Sequence, residues 1–376
     1  MRIFIDACCG TSGGGYDYTL KLLTNTNFMN NSIIFAEDKT LIELVNRKIQ
    51  DESLDIIVKR RNRVFDHYGT EDLWRIIVIP ILVLFYRPKL FLSISGVVSP
   101  FLFNVKKISM IHNILPFQKK FDEGWTVLDR SIFWYRRLLL GMSMHVSDRI
   151  ITFSQDSLDQ LSAFVKKEKI VYAHHTSKFL SNKFFKKNPT VNNQLIKQIN
   201  IFVNSSCMPH KNLKNMLKGI ILFGGVAGRK ISVKVAGSVD NHRYVQSIDH
   251  WWTSLNVTEV VEFEFLGYLD DSKLEGFYRE ADVCVAPSVV EIFDIGCLDS
   301  LILCGRVCVS DTNVHRELFD YLSGISFFDP YDPLSLCFAL RNCLRVDRCD
   351  QLEILNRFSD WTKVTEANWE LIYDEN

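Results

Sequence analysis

The chain has 376 residues, 47% of them hydrophobic and 23% charged, with Lys plus Arg and Asp plus Glu equal at 44 each. That length exceeds what one hydrophobic core usually supports, so two domains are expected, and the apolar content excludes a disordered chain. A formal net charge of zero provides no global basic excess for nucleic acid, and the longest apolar run, Ile76–Phe85, contains Pro80 and is too short for the roughly 20 residues a bilayer span needs.

In chain order, the opening Met1-Arg-Ile-Phe-Ile-Asp6 reads as a first strand rather than a signal peptide. The first half alternates predicted strands at Arg2–Ala7, Ser32–Ala36, Leu90–Ser95, Lys107–His112, Arg149–Ser154 and Lys169–Ala173 with helices at Tyr16–Leu23, Leu73–Phe85, Ile132–Val146 and Ser157–Val165. Ser177–Gln198 carries lysines, Pro189 and several amides without periodicity, and is expected to be a linker. A second alternating set follows, with strands at Ile201–Asn204, Ile231–Ala236, Val260–Leu266, Val283–Pro287 and Val307–Ser310. Helices are predicted near Asn212–Phe223, Ser272–Glu280, from Gly296 onward, and near Pro333–Leu344, and Leu352–Tyr373 has helical spacing. This is an α/β pattern of two Rossmann-like, doubly wound domains, and their strand ends are expected to face a cleft.

The ten cysteines form no Cys-x-x-Cys pair and several lie in apolar runs, as thiols of a reducing cytoplasm do. Cys304, Cys308 and His315 lack a fourth ligand at metal-binding spacing, so no metal is expected.

Four places carry chemistry. The glycines of Gly10-Thr-Ser-Gly-Gly-Gly15, with Gly13 and Gly14 at their centre, let backbone amides approach a phosphate, or simply make a tight strand-to-helix turn. His112, closing a strand, can bond sugar hydroxyls or be a capped structural histidine. Lys211, in Pro209-His-Lys-Asn212, is placed to meet a diphosphate, or is solvated. Glu291, Asp294 and Asp299 interrupt the apolar run Pro287–Ser310; carboxylates in a strand-end loop and a first helical turn suit a polyol, while helix-end stabilisation would account for Asp299 alone.

Together these segments resemble family 4 of the retaining glycosyltransferases (glycosyl transferases group 1), which have the GT-B fold. The resemblance runs through the glycine loop Gly10–Gly15 with Tyr18, Met110-Ile-His-Asn-Ile-Leu-Pro116, Asp148-Arg-Ile-Ile-Thr-Phe-Ser154, Pro209-His-Lys-Asn-Leu213, Phe265-Leu-Gly-Tyr-Leu269, Pro287-Ser288 with Glu291, Ser310–Leu318 and Phe327-Phe-Asp-Pro330. It implies an acceptor-side domain at 1–176, a linker at 177–198, a donor domain at 199–355, and a helix at 356–376 crossing back to the first domain.

By the same resemblance, Glu291 and His112 are the catalytic residues, next to the transferred sugar. Lys211 meets the diphosphate, Asp299 takes the place of a ribose-binding glutamate, and Gly13, Gly14, Phe293, Ile295, Tyr268 and Ser205 complete the donor pocket. Asp294 stands where the family has glycine, and would repel a diphosphate unless its side chain points away. The implied reaction moves a mannose-like hexose, with retention and without metal or cofactor, from a nucleotide-sugar to a glycan hydroxyl. The acceptor is expected to be lipid-linked, in surface polysaccharide or lipopolysaccharide O-antigen synthesis at the cytoplasmic face of the membrane. Lys59–Arg63 and Trp134–Leu140, mixing cations with apolar residues, read as an interfacial surface or as a solvated loop and a core helix. The rival readings are a non-catalytic GT-B partner in glycan assembly and a sugar-nucleotide epimerase.

Overall fold

The structure, a computed structural model, describes residues 2–8, 14–24, 32–36, 42–43, 45–46, 57–60, 70–118, 124–173, 175–180, 198–239, 242–255, 257, 259–359 and 361–373. They divide into two compact units, one formed by residues 1–119, 127–175 and 361–376, the other by 120–126 and 176–360.

The first unit is built on a parallel sheet of β1 (Ile3–Asp6), β2 (Ser32–Ala36), β3 (Ile57–Arg60), β4 (Leu90–Ser93), β5 (Lys106–Met110), β6 (Arg149–Thr152) and β7 (Ile170–Tyr172), in the order β3-β2-β1-β4-β5-β6-β7. β1, β2 and β4 are buried at every position, because crossover helices cover a parallel sheet and its central strands read as unbroken apolar runs. Ile57–Arg60 pairs with β2 as an edge strand, so the basic stretch expected at Lys59–Arg63 begins in a sheet; residues 61–63 lie outside the described residues.

The helices here are α1 (Gly14–Thr24), α2 (Thr70–Leu73), α3 (Ile79–Tyr86), α4 (Val127–Val146) and α5 (Gln155–Leu161), and a π-helical stretch, Trp74–Val78, joins α2 to α3. Phe4, Phe35, Trp74, Ile79, Val83, Phe91 and Leu102 form a core in which Phe4 stacks on Phe35 at 5.2 Å between ring centroids.

The second unit has β8 (Gln198–Asn204), β9 (Lys230–Ala236), β10 (Val261–Gly267), β11 (Val283–Ala286), β12 (Val307–Ser310) and β13 (Ile325–Phe328), ordered β10-β9-β8-β11-β12-β13 and parallel throughout. Its helices are α6 (Leu213–Ala227), α7 (His242–Thr253), α8 (Asp271–Glu280), α9 (Ile295–Leu303), α10 (Asn313–Phe319), α11 (Pro333–Cys343) and α12 (Gln351–Arg357). The segment expected as one helix over Leu352–Tyr373 is two: α12 ends before Phe358, and α13 (Trp361–Tyr373) belongs to the first unit. There the Trp369 indole is fully buried and donates to Leu22 O at 3.2 Å, Asn368 Nδ2 donates to Tyr18 Oη at 2.9 Å, and an Arg149 guanidinium nitrogen donates to Leu371 O at 2.7 Å.

Only the ends of the predicted linker 177–198 are described. Ser177 is buried and belongs to the second unit, Gln198 opens β8, and residues 181–197 lie outside the described residues. In each sheet the strand order reverses once, between β1 and β4 and between β8 and β11. Ligands of doubly wound sheets bind beyond the carboxyl ends of the strands at such a reversal.

Candidate functional site

Two loops flank the reversal in the second sheet. After β8 the chain makes a short 3₁₀ turn, Pro209–Lys211, and Asn212, left-handed at φ 56°, starts α6 with its Nδ2 donating to Pro330 O at 2.7 Å. After β11 it runs through Pro287–Glu291 to α9. The Val289 amide donates to His210 O at 2.9 Å and ties one loop to the other. This brings Lys211 Nζ into an ion pair with Glu291 Oε1, the two residues singled out for the diphosphate and the sugar. Their side chains are only 19% and 14% exposed. Burial works against the Lys211 charge, but Glu291 and Asp294 outweigh it and hold the ammonium above its ordinary value.

Asp294 does not face the ligand side as a free charge. Its Oδ1 accepts from the Cys297 amide at 3.0 Å as the N-cap of α9, and its Oδ2 meets His315 Nε2 at 3.0 Å. His315 Nδ1 in turn lies 2.8 Å from Ser310 O, at the end of β12. Burial pushes the Asp294 carboxyl up, while the His315 imidazole, Lys211 and the Cys297 amide more than reverse this and leave it below the usual carboxylate range. A side chain at position 296 would place its Cβ 2.9 Å from Asn204 O, so glycine there lets α9 start directly against the end of β8.

The other predicted donor residues are less uniform. Asp299 is 2% exposed, and its Oδ1 accepts from Ser177 Oγ, so it anchors Thr176–Leu180 from inside the unit. Phe293 turns inward against Phe358, with ring centroids 6.3 Å apart, whereas Ile295 opens α9 and is half-buried. Ser205 is buried at the end of β8, its amide donating to Ala236 O at 2.8 Å, and Tyr268, 73% exposed, follows β10. His315, earlier weighed with Cys304 and Cys308 as a metal ligand, is engaged by Asp294 and Ser310, and no metal-holding cluster of His, Cys, Asp and Glu occurs among the described residues.

In the first unit, Gly14 opens α1 and a Cβ at Gly15 would touch the His112 side chain at 3.9 Å, so the glycine turn and His112 are neighbours; Gly13 lies outside the described residues. The imidazole stacks on Phe153 at 4.7 Å and meets the edge of Tyr18 at 5.2 Å. His112 lines a pocket of about 370 Å³ together with Glu71, Arg75, Ser95, Asn113 and Arg136, and its Nε2 is buried with no hydrogen-bond partner among the described residues. Burial, followed by repulsion from His175, lowers its pKa to about 3, so the ring stays neutral and offers hydrogen bonds rather than acting as a cationic acid.

A histidine with a depressed pKa stabilises the fold fully above its unfolded value of 6.5 and loses that contribution as pH falls toward 3. His112→Phe should flatten this part of the acid dependence, so the drop in melting temperature between pH 7 and pH 4 should be smaller in the variant than in the parent protein.

The polar wall of that pocket was not anticipated. Arg75, in the π-helical stretch, is 3% exposed and lies 3.4 Å from Asp6 Oδ2, 3.4 Å from Asp72 Oδ1 and 3.3 Å from Glu71 Oε2, while donating to Cys8 O at 2.6 Å. Arg136 joins from α4, 2.5 Å from Glu71 Oε1 and 3.3 Å from Asp72 Oδ1. Arg137 Nε donates to Pro116 O at 2.5 Å. The two arginines of the supposed interfacial stretch are therefore turned to internal partners, while Trp134 and Leu138 are exposed at 64% and 53%. No helix among the described residues is long and apolar enough to cross a membrane.

No protein-family model and no curated protein matches the sequence. Solved structures do match. HepE of Anabaena, in complex with UDP and glucose, aligns at 14% identity over 99% of both chains with a TM-score of 0.69. A glycosyltransferase from Rickettsia africae aligns at 13% identity over 100% of this chain and 99% of its own, with a TM-score of 0.68. The apo form of the lipopolysaccharide outer core galactosyltransferase WaaB aligns at 12% identity over 99% of both chains, with a TM-score of 0.64. The fold shared with them is GT-B, two Rossmann-like α/β units built on seven- and six-stranded parallel sheets.

Proposed function

We propose that the protein is a retaining, nucleotide-sugar-dependent hexosyltransferase acting on a glycan hydroxyl without a metal. The Lys211–Glu291 pair beside the β8/β11 reversal carries this reading: a compact cation and a carboxylate, joined as one pair, match a diphosphate and the hydroxyls of the sugar attached to it. When the glycosidic bond to the diphosphate breaks, Lys211 and the amides at the start of α9 neutralise the charge developing on the leaving group. The leaving phosphate accepts the proton of the attacking hydroxyl on the same face, and Glu291 orients the sugar rather than attacking it, unlike the nucleophile of a retaining hydrolase. Neutral His112, which lines a pocket and whose buried Nε2 has no partner among the described residues, serves hydroxyls as a hydrogen-bonding group.

The UDP and glucose held by HepE support a uridine diphosphate hexose as the first donor to test, with guanosine diphosphate mannose beside it. Both oxygens of Asp294 are engaged, by His315 and by a helix amide, which supports the catalytic reading over a non-catalytic relative. A lipid-linked acceptor is supported by the exposed ridge of Trp134, Leu138 and Met142 on α4, and loss of vesicle sedimentation on Trp134→Ala checks it.

The function is tested by a thermal-shift panel of nucleotides and nucleotide-sugars. The true donor at about a hundred times its dissociation constant adds about 2.7 kcal/mol of stability. A panel in which no nucleotide-sugar shifts unfolding would overturn the proposal.

A further inference from the structure

At the other end of the second sheet, the amino-terminal ends of β8, β11 and β12, a pocket of about 470 Å³ is lined by Arg229, Arg306, Arg341 and Arg345. It is about 20 Å along β8 from the loops that carry Lys211 and Glu291, at roughly 3.3 Å per residue of strand. We propose that this pocket binds a phosphoryl anion bearing at least two negative charges, at a site separate from that of the donor.

The fold brings the four guanidinium groups together from three directions. α6 and α11 run side by side, so close at Gly219 that a Cβ there would lie 2.8 Å from Pro333 O. Their carboxyl ends therefore emerge next to each other. Gly228, left-handed at φ 61°, ends α6 and is followed by Arg229; Arg341 lies in the last turn of α11, and Arg345 just beyond it. Arg306 arrives from the start of β12, with its Nε held by Val346 O at 3.0 Å.

Cations at helix carboxyl ends are favourable by themselves, and this accounts for Arg229, Arg341 and Arg345 taken singly. It accounts neither for Arg306 nor for the convergence of all four on one concavity. None of the four has an ion pair among the described residues. The one acid lining the pocket, Asp282, already accepts the Asn200 amide through Oδ2 at 2.8 Å. Phe223, Val226 and Leu344 form an apolar wall beside the charges. Permanently charged planar donors in such a setting match phosphoryl oxygens in bidentate fashion, and their mutual repulsion is relieved when an anion enters. A soluble phosphate ester and a phospholipid headgroup share this chemistry.

The test compares the full chain with an Arg341→Gln/Arg345→Gln variant, both positions being exposed. Inorganic pyrophosphate is titrated by calorimetry at low salt, and sedimentation is measured with vesicles of phosphatidylcholine with and without phosphatidylglycerol. Charge-assisted contacts of this kind predict at least about a tenfold loss of pyrophosphate affinity in the variant, with nucleotide-sugar binding and melting temperature unchanged. Arginine-dependent pyrophosphate binding without vesicle binding identifies a soluble ligand. Sedimentation that needs both phosphatidylglycerol and the arginines identifies a headgroup. No binding in either arm, or equal binding by parent and variant in both, overturns the proposal. Because nucleotide-sugar binding is read separately, its failure would count against the donor site alone.

Discussion

If the proposed transfer is the reaction, Glu291→Gln is expected to lower it by about 100- to 1000-fold, the range found when one preorganised electrostatic partner of a reacting group is removed. The substitution is isosteric and keeps a hydrogen-bonding partner for Lys211, so the loops beside β8 and β11 stay tied through Val289 and His210. It removes the negative charge that pairs with the Lys211 ammonium and that, in the proposed reaction, would order the sugar. In the proposed reaction the loss is expected in kcat more than in KM, because Lys211 and the α9 amides would still hold the diphosphate. Stability falls as well: with side chains only 19% and 14% exposed, the pair lies between an exposed one, contributing up to about 1 kcal/mol, and a buried one, whose breaking costs about 3–5 kcal/mol, and the retained hydrogen bond keeps the loss toward the lower figure. Full activity in this variant would exclude Glu291 from the role assigned to it.

Asp294→Ala has the opposite profile, a large cost in stability first and a loss of activity as its consequence. It removes the cap of α9, about 1 kcal/mol, and leaves the buried His315 Nε2 without its hydrogen-bond partner, about 1–3 kcal/mol more. Denaturant unfolding at pH 7 measures the difference. The carboxyl is depressed in the folded state, so its contribution is fully present above the unfolded value of 3.8 and fades only as pH falls through the lower folded value. Parent and variant should therefore stay apart from pH 7 down to pH 4 and converge in stronger acid. Asp294→Asn retains an oxygen for the Cys297 amide and should fall between them. Equal stability of all three proteins would mean that the His315 contact contributes nothing.

The strands were legible wherever a buried run was apolar and bounded by polar residues, as at Ser32–Ala36, which matches β2 at both ends. β3 was missed because Ile57-Val-Lys-Arg60 has two apolar and two basic residues and no alternation. α7 was missed because its buried face is only Tyr244, Ile248 and Trp252, one residue per turn among polar ones. Within the site, Lys211 and Glu291 were identifiable because each follows its own strand and each strand is visible. Asp294 was not interpretable from local sequence, since its partner lies 21 residues away beyond α9 and β12, and Asp299 meets Ser177 across 122 residues. Arg75 was hidden for another reason: it sits in an apolar helical run, and its three acidic partners come from β1 and the preceding turn.

The place of α13 has a consequence for the order in which the molecule can be completed. Tyr18, Leu22 and Arg149 all meet partners in residues 368–371, so the first unit to leave a ribosome lacks one of its covering helices until residues 176–360 have been made. At roughly 5–20 residues per second that interval is about 10–40 s. The second unit, contiguous over residues 176–360, needs no such wait for those residues. Folding during synthesis is thus expected to finish in reverse order, with the first-made half closing last.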